Sequence, residues 1–350
     1  MPVLQRPPVR NLALRAYASL VFGVMSVWRS YVTEEMQLSG MEHVPDAGPV
    51  LWMFKHESWH DVANIPLLWQ KAGAPLFKSP SRRKYFPSHV LSEASRIALS
   101  PIMYEMYRTW LGEGTSEEER EAMREENRAA LSALRENYER GFHILMAPEG
   151  STISDGHITN VRPGAWHLSR LQRDNGIEVV RCAPIGLTYD FLSGRRRFGR
   201  KQHLVFANLG ESFIPDTEQD ADGFRERLRQ DFISLSTMTC SMLAGDYLAR
   251  SERVDEKELE ELVAARATAL DGMMDIDRGL LDPGKRARRV RHFYSAAEEL
   301  GYVNGGSVVH ERLALIPENP DWKHENVLRY TLNRLEDILA ARPDVAKVIR

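Results

Sequence analysis

The hydrophobic positions of this chain change their period along its length, and those changes mark its elements. Residues 12–32, LALRAYASLVFGVMSVWRSYV, carry Leu14, Ala18, Val21, Met25 and Trp28 at helical spacing, with Phe22 and Tyr31 adding aromatic surface. The run between Arg15 and Arg29 is uncharged, too short to span a bilayer, and lacks a small-residue cleavage site. Two readings fit it: an interfacial helix with Arg15, Arg29, Trp28 and Tyr31 at the headgroup level, or a core helix of a globular domain. From about residue 35, short apolar stretches alternate with amphipathic ones. Strands are expected at 36–39, 50–54, 143–147, 179–182, 185–189 and 203–208, and helices at 59–71, interrupted by Pro66, at 117–139 and at 164–173. In 117–139, Met123, Leu131, Leu134 and Tyr138 line one stripe and Glu/Arg pairs fill the rest, a solvated face. Strands alternating with helices predict an α/β sheet.

Beyond about 216 the pattern turns helical: 221–250, 254–274, 284–300 and 323–341, with turn chemistry at DPG (282–284) and NGG (304–306). The chain therefore divides into an N-terminal helix at 1–34, an α/β domain at 35–250 and a helical C-terminal extension at 251–350.

Composition narrows the class. The 350 residues are 43% apolar and 27% charged, enough to bury a substantial core and too apolar for wholesale disorder. The net charge of −3 lacks the basic excess of a nucleic-acid binder. No stretch approaches the roughly 20 apolar residues of a membrane span, which excludes a polytopic membrane protein. These averages describe a cytoplasmic protein. Cys182 and Cys240, without C-x-x-C spacing, read as two buried thiols.

Candidate chemistry concentrates in residues 56–61, HESWHD, where two motifs overlap. His56, Glu57 and His60 match H-E-x-x-H, in which two histidines one turn apart bind zinc and the glutamate acts as base. His56 and Asp61 match H-x-x-x-x-D, a base with a carboxylate partner. The zinc motif requires a helix, so that both histidines share one face. The preceding GPVLWMFK is instead a turn and a short strand, which puts His56 at a strand end, and Glu93, with no strong pattern around it, is the best available third ligand. Two further segments follow strands or interrupt them: Pro148-Glu149-Gly150 after HILMA, and Ala183-Pro184-Ile185 within VVRCAPIGL. A glycine after a strand lets backbone approach a ligand closely.

With KHESWHD, APEGST and VVRCAPIG in this order, residues 35–215 resemble the glycerolipid acyltransferase family, of the lysophosphatidic acid acyltransferase type. The resemblance implies a mixed sheet flanked by helices, working at a membrane surface behind an N-terminal amphipathic anchor, a role that residues 12–32 fit. It also implies acyl transfer from an acyl-CoA or acyl-carrier-protein thioester to a lysophospholipid or related glycerolipid hydroxyl, with no bound cofactor or metal. Where that family carries arginines in its second and third blocks, this chain has Met106, next to Glu105, and Thr152. Lys78, Arg108 and Arg162 are the cations expected to meet substrate anions in their place.

In the implied mechanism His56 takes the proton of the acceptor hydroxyl, and Asp61 fixes the histidine's tautomer. Glu149 orders the loop or the acceptor, and Gly150 admits the substrate. The H-E-x-x-H hydrolase using His56, Glu57 and His60 is one alternative, and a degenerate, non-enzymatic membrane-surface protein is another. The expected location is the cytoplasmic face of a membrane, with lipid and thioester as partners and no nucleic acid. Three basic clusters, 82–84, 195–201 and 285–291, compete for contact with anionic headgroups, the second of them reading as a hairpin tip.

Overall fold

A computed structural model of the chain describes residues 23, 26–27, 29–45, 48–58, 60–61, 64–65, 77–82, 103–106, 116–149, 155–158, 161–174, 176, 180–197, 200–216, 220–317 and 325–350. For 77–82, 103–106, 171–173, 197 and 200–201 it describes the backbone alone. A mixed sheet runs through the molecule. Its strands are β1 (Thr33–Ser39), β2 (Leu51–Phe54), β3 (Phe77–Arg82), β4 (Met103–Met106), β5 (His143–Met146), β6 (Cys182–Asp190) and, after a two-residue hairpin of β7 (Arg196–Arg197) and β8 (Arg200–Lys201), β9 (His203–Leu209). The order is β1-β9-β6-β2-β5-β3-β4. The strands from β6 to β4 are mutually parallel, whereas β9 pairs antiparallel with β6 and parallel with β1.

β2, β5 and β6 form the middle of this sheet and are covered on both faces, so their sequences read as apolar runs. On β2, Leu51 and Met53 join the larger core, while Val50 and Trp52 join a smaller one with Leu145, Ala183 and Ile185. This is the two-residue alternation of a strand sorting side chains onto opposite faces. Residues 179–182 and 185–189 are expected as two pieces around Pro184. Of the first, residue 179 lies outside the described residues and 180–181 are not strand. The strand starts at Cys182 and runs through Pro184, because pairing with β9 starts only at Ile185 and the proline needs no ladder partner there.

Helices pack on the sheet and on each other. α1 (Glu117–Glu139) begins with a capping box between Ser116 and Glu119 and buries Ala130, Leu134 and Tyr138. α2 (Gly164–Asp174) follows β5. Residues 221–250, expected as one helix, form α3 (Ala221–Ser234) and α4 (Cys240–Arg250). The break has identifiable causes: the Ser236 hydroxyl bonds back to Phe232, the Thr237 amide donates to Thr188 on β6, and Thr239 caps the new helix. Then come α5 (Glu256–Leu270), α6 (Pro283–Glu299), a small hairpin of β10 (Val303–Asn304) and β11 (Ser307–Val308) turning on the left-handed Gly305 and Gly306, α7 (His310–Ala314), α8 (Val327–Ala341) and α9 (Pro343–Ile349). DPG proves to be the start of α6, with Asp282 capping and Pro283 in the first turn.

The helices after 250 share the larger hydrophobic core with β2, β5 and β6. Arg289 on α6 is buried and pairs with Asp277 and with Glu35 on β1, which fastens the helical segment to the sheet edge. Of the expected helix at 12–32, only 23, 26–27 and 29–32 lie among the described residues. They are helical, with Val27 and Tyr31 exposed. No helix among the described residues is long and apolar enough to cross a membrane. Cys182 and Cys240 are both buried and free.

Candidate active site

The site forms where β2 leaves the sheet. After Phe54 the chain leaves regular structure, and burial alternates through Lys55, His56 and Glu57. Lys55 and Glu57 turn inward and are fully buried, while the His56 side chain between them is 20% exposed. The chain then turns, and Asp61 comes back beneath the histidine.

Asp61 Oδ2 lies 2.9 Å from His56 Nδ1 and accepts the amides of Glu57 (2.8 Å) and Ser58 (3.0 Å). Its Oδ1 accepts the phenol of Tyr189, and that phenol in turn accepts the Asn64 amide at 2.8 Å. Burial, with Asp61 second, pushes the Tyr189 phenol well above its ordinary range, which keeps it a donor. A buried carboxylate surrounded by donors is stabilised as an anion, and an anion only accepts. In the neutral His56 imidazole the bond to Asp61 puts the proton on Nδ1 and leaves the lone pair on Nε2. The Phe54 ring meets the imidazole edge-on at 5.7 Å.

Glu149, from the loop after β5, closes the other side. Its Oε2 accepts the His56 amide at 2.5 Å, and its Oε1 lies 3.6 Å from Lys55 Nζ. Complete burial raises the pKa of this carboxyl, against the opposing pull of Lys55. Glu149 thus holds the backbone of the histidine rather than its ring. Arg162 closes the same loop: its Nε donates to the Glu149 carbonyl at 3.0 Å, and its amide donates to the Pro148 carbonyl at 2.9 Å.

Beneath the loop lies a set of buried charges that sequence reasoning missed. Glu57 Oε1 pairs with Lys55 and with Arg334, and Glu57 Oε2 accepts the Tyr330 phenol at 2.8 Å. Arg334 and Tyr330 come from α8, near the C-terminus. Two carboxylates thus face two cations, which offsets part of the cost of burying any one of them. A signal existed in the sequence. Tyr330, Asn333, Arg334 and Asp337 follow i, i+3, i+4 and i+7 spacing, a polar line along a helix that also carries Leu328, Leu332, Leu335, Ile338 and Leu339. Lys55 was legible from alternation alone, two residues before Glu57.

The structure brings His56, Asp61, Glu149 and Arg162 together. Lys78 sits on β3, where only the backbone is described, and Gly150, Arg108 and Glu93 lie outside the described residues. The H-E-x-x-H alternative does not fit. His56 lies outside any helix with Nδ1 engaged by Asp61, the Glu57 carboxylate is buried among Lys55, Arg334 and Tyr330, and the His60 ring packs 5.9 Å from that of His203. No step through zinc is derived from these residues.

Fold and site together define a mixed α/β protein with a His–Asp pair on a strand-end loop. No protein-family model matches the chain, and no curated protein matches it. Among solved structures it is similar to the 1-acyl-sn-glycerophosphate (LPA) acyltransferase PlsC from Thermotoga maritima, at 12% identity and a TM-score of 0.45, over 64% of this chain and 81% of that one.

Proposed function

We propose that this protein is an O-acyltransferase moving a fatty acyl group from an acyl-CoA or acyl-carrier-protein thioester to the hydroxyl of a lysophospholipid or related glycerolipid. The observation that supports this most is the His56–Asp61 pair at 2.9 Å, with the lone pair on a partly exposed ring. An alcohol is a poor nucleophile near neutral pH, so its attack on a thioester needs a base within reach. His56 Nε2 accepts the hydroxyl proton as the alcohol oxygen bonds to the thioester carbonyl carbon. Asp61 stabilises the imidazolium that forms. The tetrahedral adduct then expels the thiolate, which takes the proton back from His56, and ester and free thiol leave. No enzyme serine is required. Ser58, the hydroxyl nearest in sequence, instead accepts the His60 amide at 3.3 Å.

Arg162, whose Nε donates to the Glu149 carbonyl, is proposed to meet an anionic group of a substrate. Lys78, Arg108 and Gly150 remain assigned to substrate binding by the sequence resemblance alone. The protein is proposed to work at the cytoplasmic face of a membrane. Of the three basic clusters, 285–291 is largely taken up in ion pairs with Glu35, Glu256, Glu260 and Asp277. The hairpin at 196–201 lies instead beside the N-terminal helix, whose Ser30 carbonyl accepts the Gln202 side chain at 2.7 Å. Lipid contact is assigned to that hairpin together with residues 12–32.

The test is incubation of the full chain with acyl-CoA or acyl-carrier protein and a panel of lysolipids with and without phosphate. The expected result, read by mass spectrometry, is a diacyl product with stoichiometric release of thiol. Absence of transfer from either donor to any acceptor, by folded protein on vesicles, contradicts the proposal.

A further inference from the structure

Helix α8 touches the site at two loops, through one polar face. Tyr330 and Arg334 hold the Glu57 carboxylate, and Arg334 Nη1 also donates to the Leu187 carbonyl of β6 at 3.3 Å. One turn further, Asn333 donates to the Asp155 carbonyl at 2.8 Å, while Asp337 accepts the Ile158 amide at 2.5 Å and meets His157 Nδ1 at 3.1 Å. Residues 155–158 lie in the connection that follows Glu149. A single rigid helix therefore grips the chain on both sides of the site.

Glu57 is tied at both ends. Its amide donates to Asp61, and its carboxylate is fixed by α8. Lys55, on the other side of His56, is drawn inward by Glu57 and Glu149. Residues 55 and 57 are both held inward, and the side chain between them stays partly exposed and turns its Nδ1 to Asp61. Burial and the Glu57 charge raise the Tyr330 phenol well above its ordinary range, so it stays a donor; at Arg334 burial opposes the charge and the Glu57 partner prevails, keeping it a cation.

We propose that Arg334 and Tyr330 are positioning residues, which aim the His56 imidazole at its acceptor and hold it on Asp61 through Glu57. They act through another residue and touch no reacting atom. Misplacing a catalytic group by about 1 Å costs on the order of 100-fold in rate, so such positioning has measurable consequences. This inference builds on the acyl-transfer reading for its kinetic consequence but has a readout independent of it.

The experiment uses the full chain with histidine-selective 15N labelling, the His56 signals being assigned by their loss in His56→Gln. Wild type is expected to show His56 protonated at Nδ1 and bare at Nε2. Tyr330→Phe removes one hydroxyl, and Arg334→Lys keeps the charge but loses the planar fork. Both are expected to mix the His56 tautomers. Where acyl transfer is measured, kcat is expected to fall about 10-fold or more with KM within about twofold. Arg334→Lys is expected to be less affected than Arg334→Gln. If Tyr330→Phe, folded by near-UV circular dichroism, leaves the His56 nitrogen signals unchanged, the positioning role is overturned, whatever Arg334→Lys does to stability. If the signals respond but wild type transfers no acyl group, the positioning stands and the acyl-transfer reading fails.

Discussion

Asp61 gathers hydrogen bonds from the His56 ring, the Glu57 and Ser58 amides and the Tyr189 phenol, so its charge is satisfied before any substrate arrives. Glu57 is in the opposite position, since its burial is tolerated only because Lys55 and Arg334 are buried with it. Removing one member of such a set leaves uncompensated charge. Glu57→Ala is therefore expected to destabilise the fold by about 3–5 kcal/mol in urea unfolding. A change below about 1 kcal/mol shows that the network is dispensable. His143 has a different kind of burial. Its Nδ1 faces the Val50 amide at 3.2 Å and the Trp52 indole N–H at 3.1 Å, and burial pulls its pKa from 6.5 down to about 4. The folded state holds His143 neutral where the unfolded chain protonates it. Its contribution is present above pH 6.5 and is lost as pH falls towards about 4. That shift corresponds to about 3 kcal/mol. Stability measured against pH is expected to slope upward through this window in wild type and to flatten in His143→Gln. Parallel curves rule this histidine out as the source.

At the scale of elements, much was legible because the period of the apolar positions is local information. The strands at 50–54, 143–147 and 203–208 and the helix at 117–139 come within a residue of their observed ends. The pairing of His56 with Asp61 was likewise readable from the H-x-x-x-x-D spacing. What escaped was whatever depends on distant contacts. Nothing near residue 237 announces that its amide bonds to Thr188 and splits a helix. Nor does the Glu57 carboxylate carry any local mark of a partner 277 positions away. The seating of α8 gives a prediction at this scale. Gly156 has φ +93°, and a Cβ there would run into the Tyr330 carbonyl. Gly156→Ala combines a left-handed conformation with that collision, and is expected to destabilise by about 2 kcal/mol or more. A thermal midpoint equal to wild type means that the loop and α8 are not in register as described.

For the whole molecule, the helices after 250 share the sheet's larger core and send Tyr330 and Arg334 beneath the strand-end loop. Ending the chain at residue 317 removes α8 and α9 and leaves Lys55 and Glu57 without Arg334. The expected result is insoluble or protease-sensitive protein, and a monodisperse, cooperatively unfolding fragment contradicts it. The proposed membrane contact belongs to the assembled surface, where the basic hairpin lies beside the N-terminal helix. Arg196 is paired with Glu299, so reversing Arg197 and Arg200 alone to glutamate is expected to abolish sedimentation with anionic vesicles, in a salt-dependent manner, without changing the urea midpoint. Equal sedimentation of variant and wild type assigns the contact elsewhere. His56, aligned by Asp61, is proposed to take the proton of an acceptor hydroxyl. Initial rates of acyl transfer by wild type, His56→Ala and Asp61→Asn, each verified as folded, test it most directly. Losses of about 100-fold or more are predicted for both variants, and activity near wild type in either one contradicts the claim.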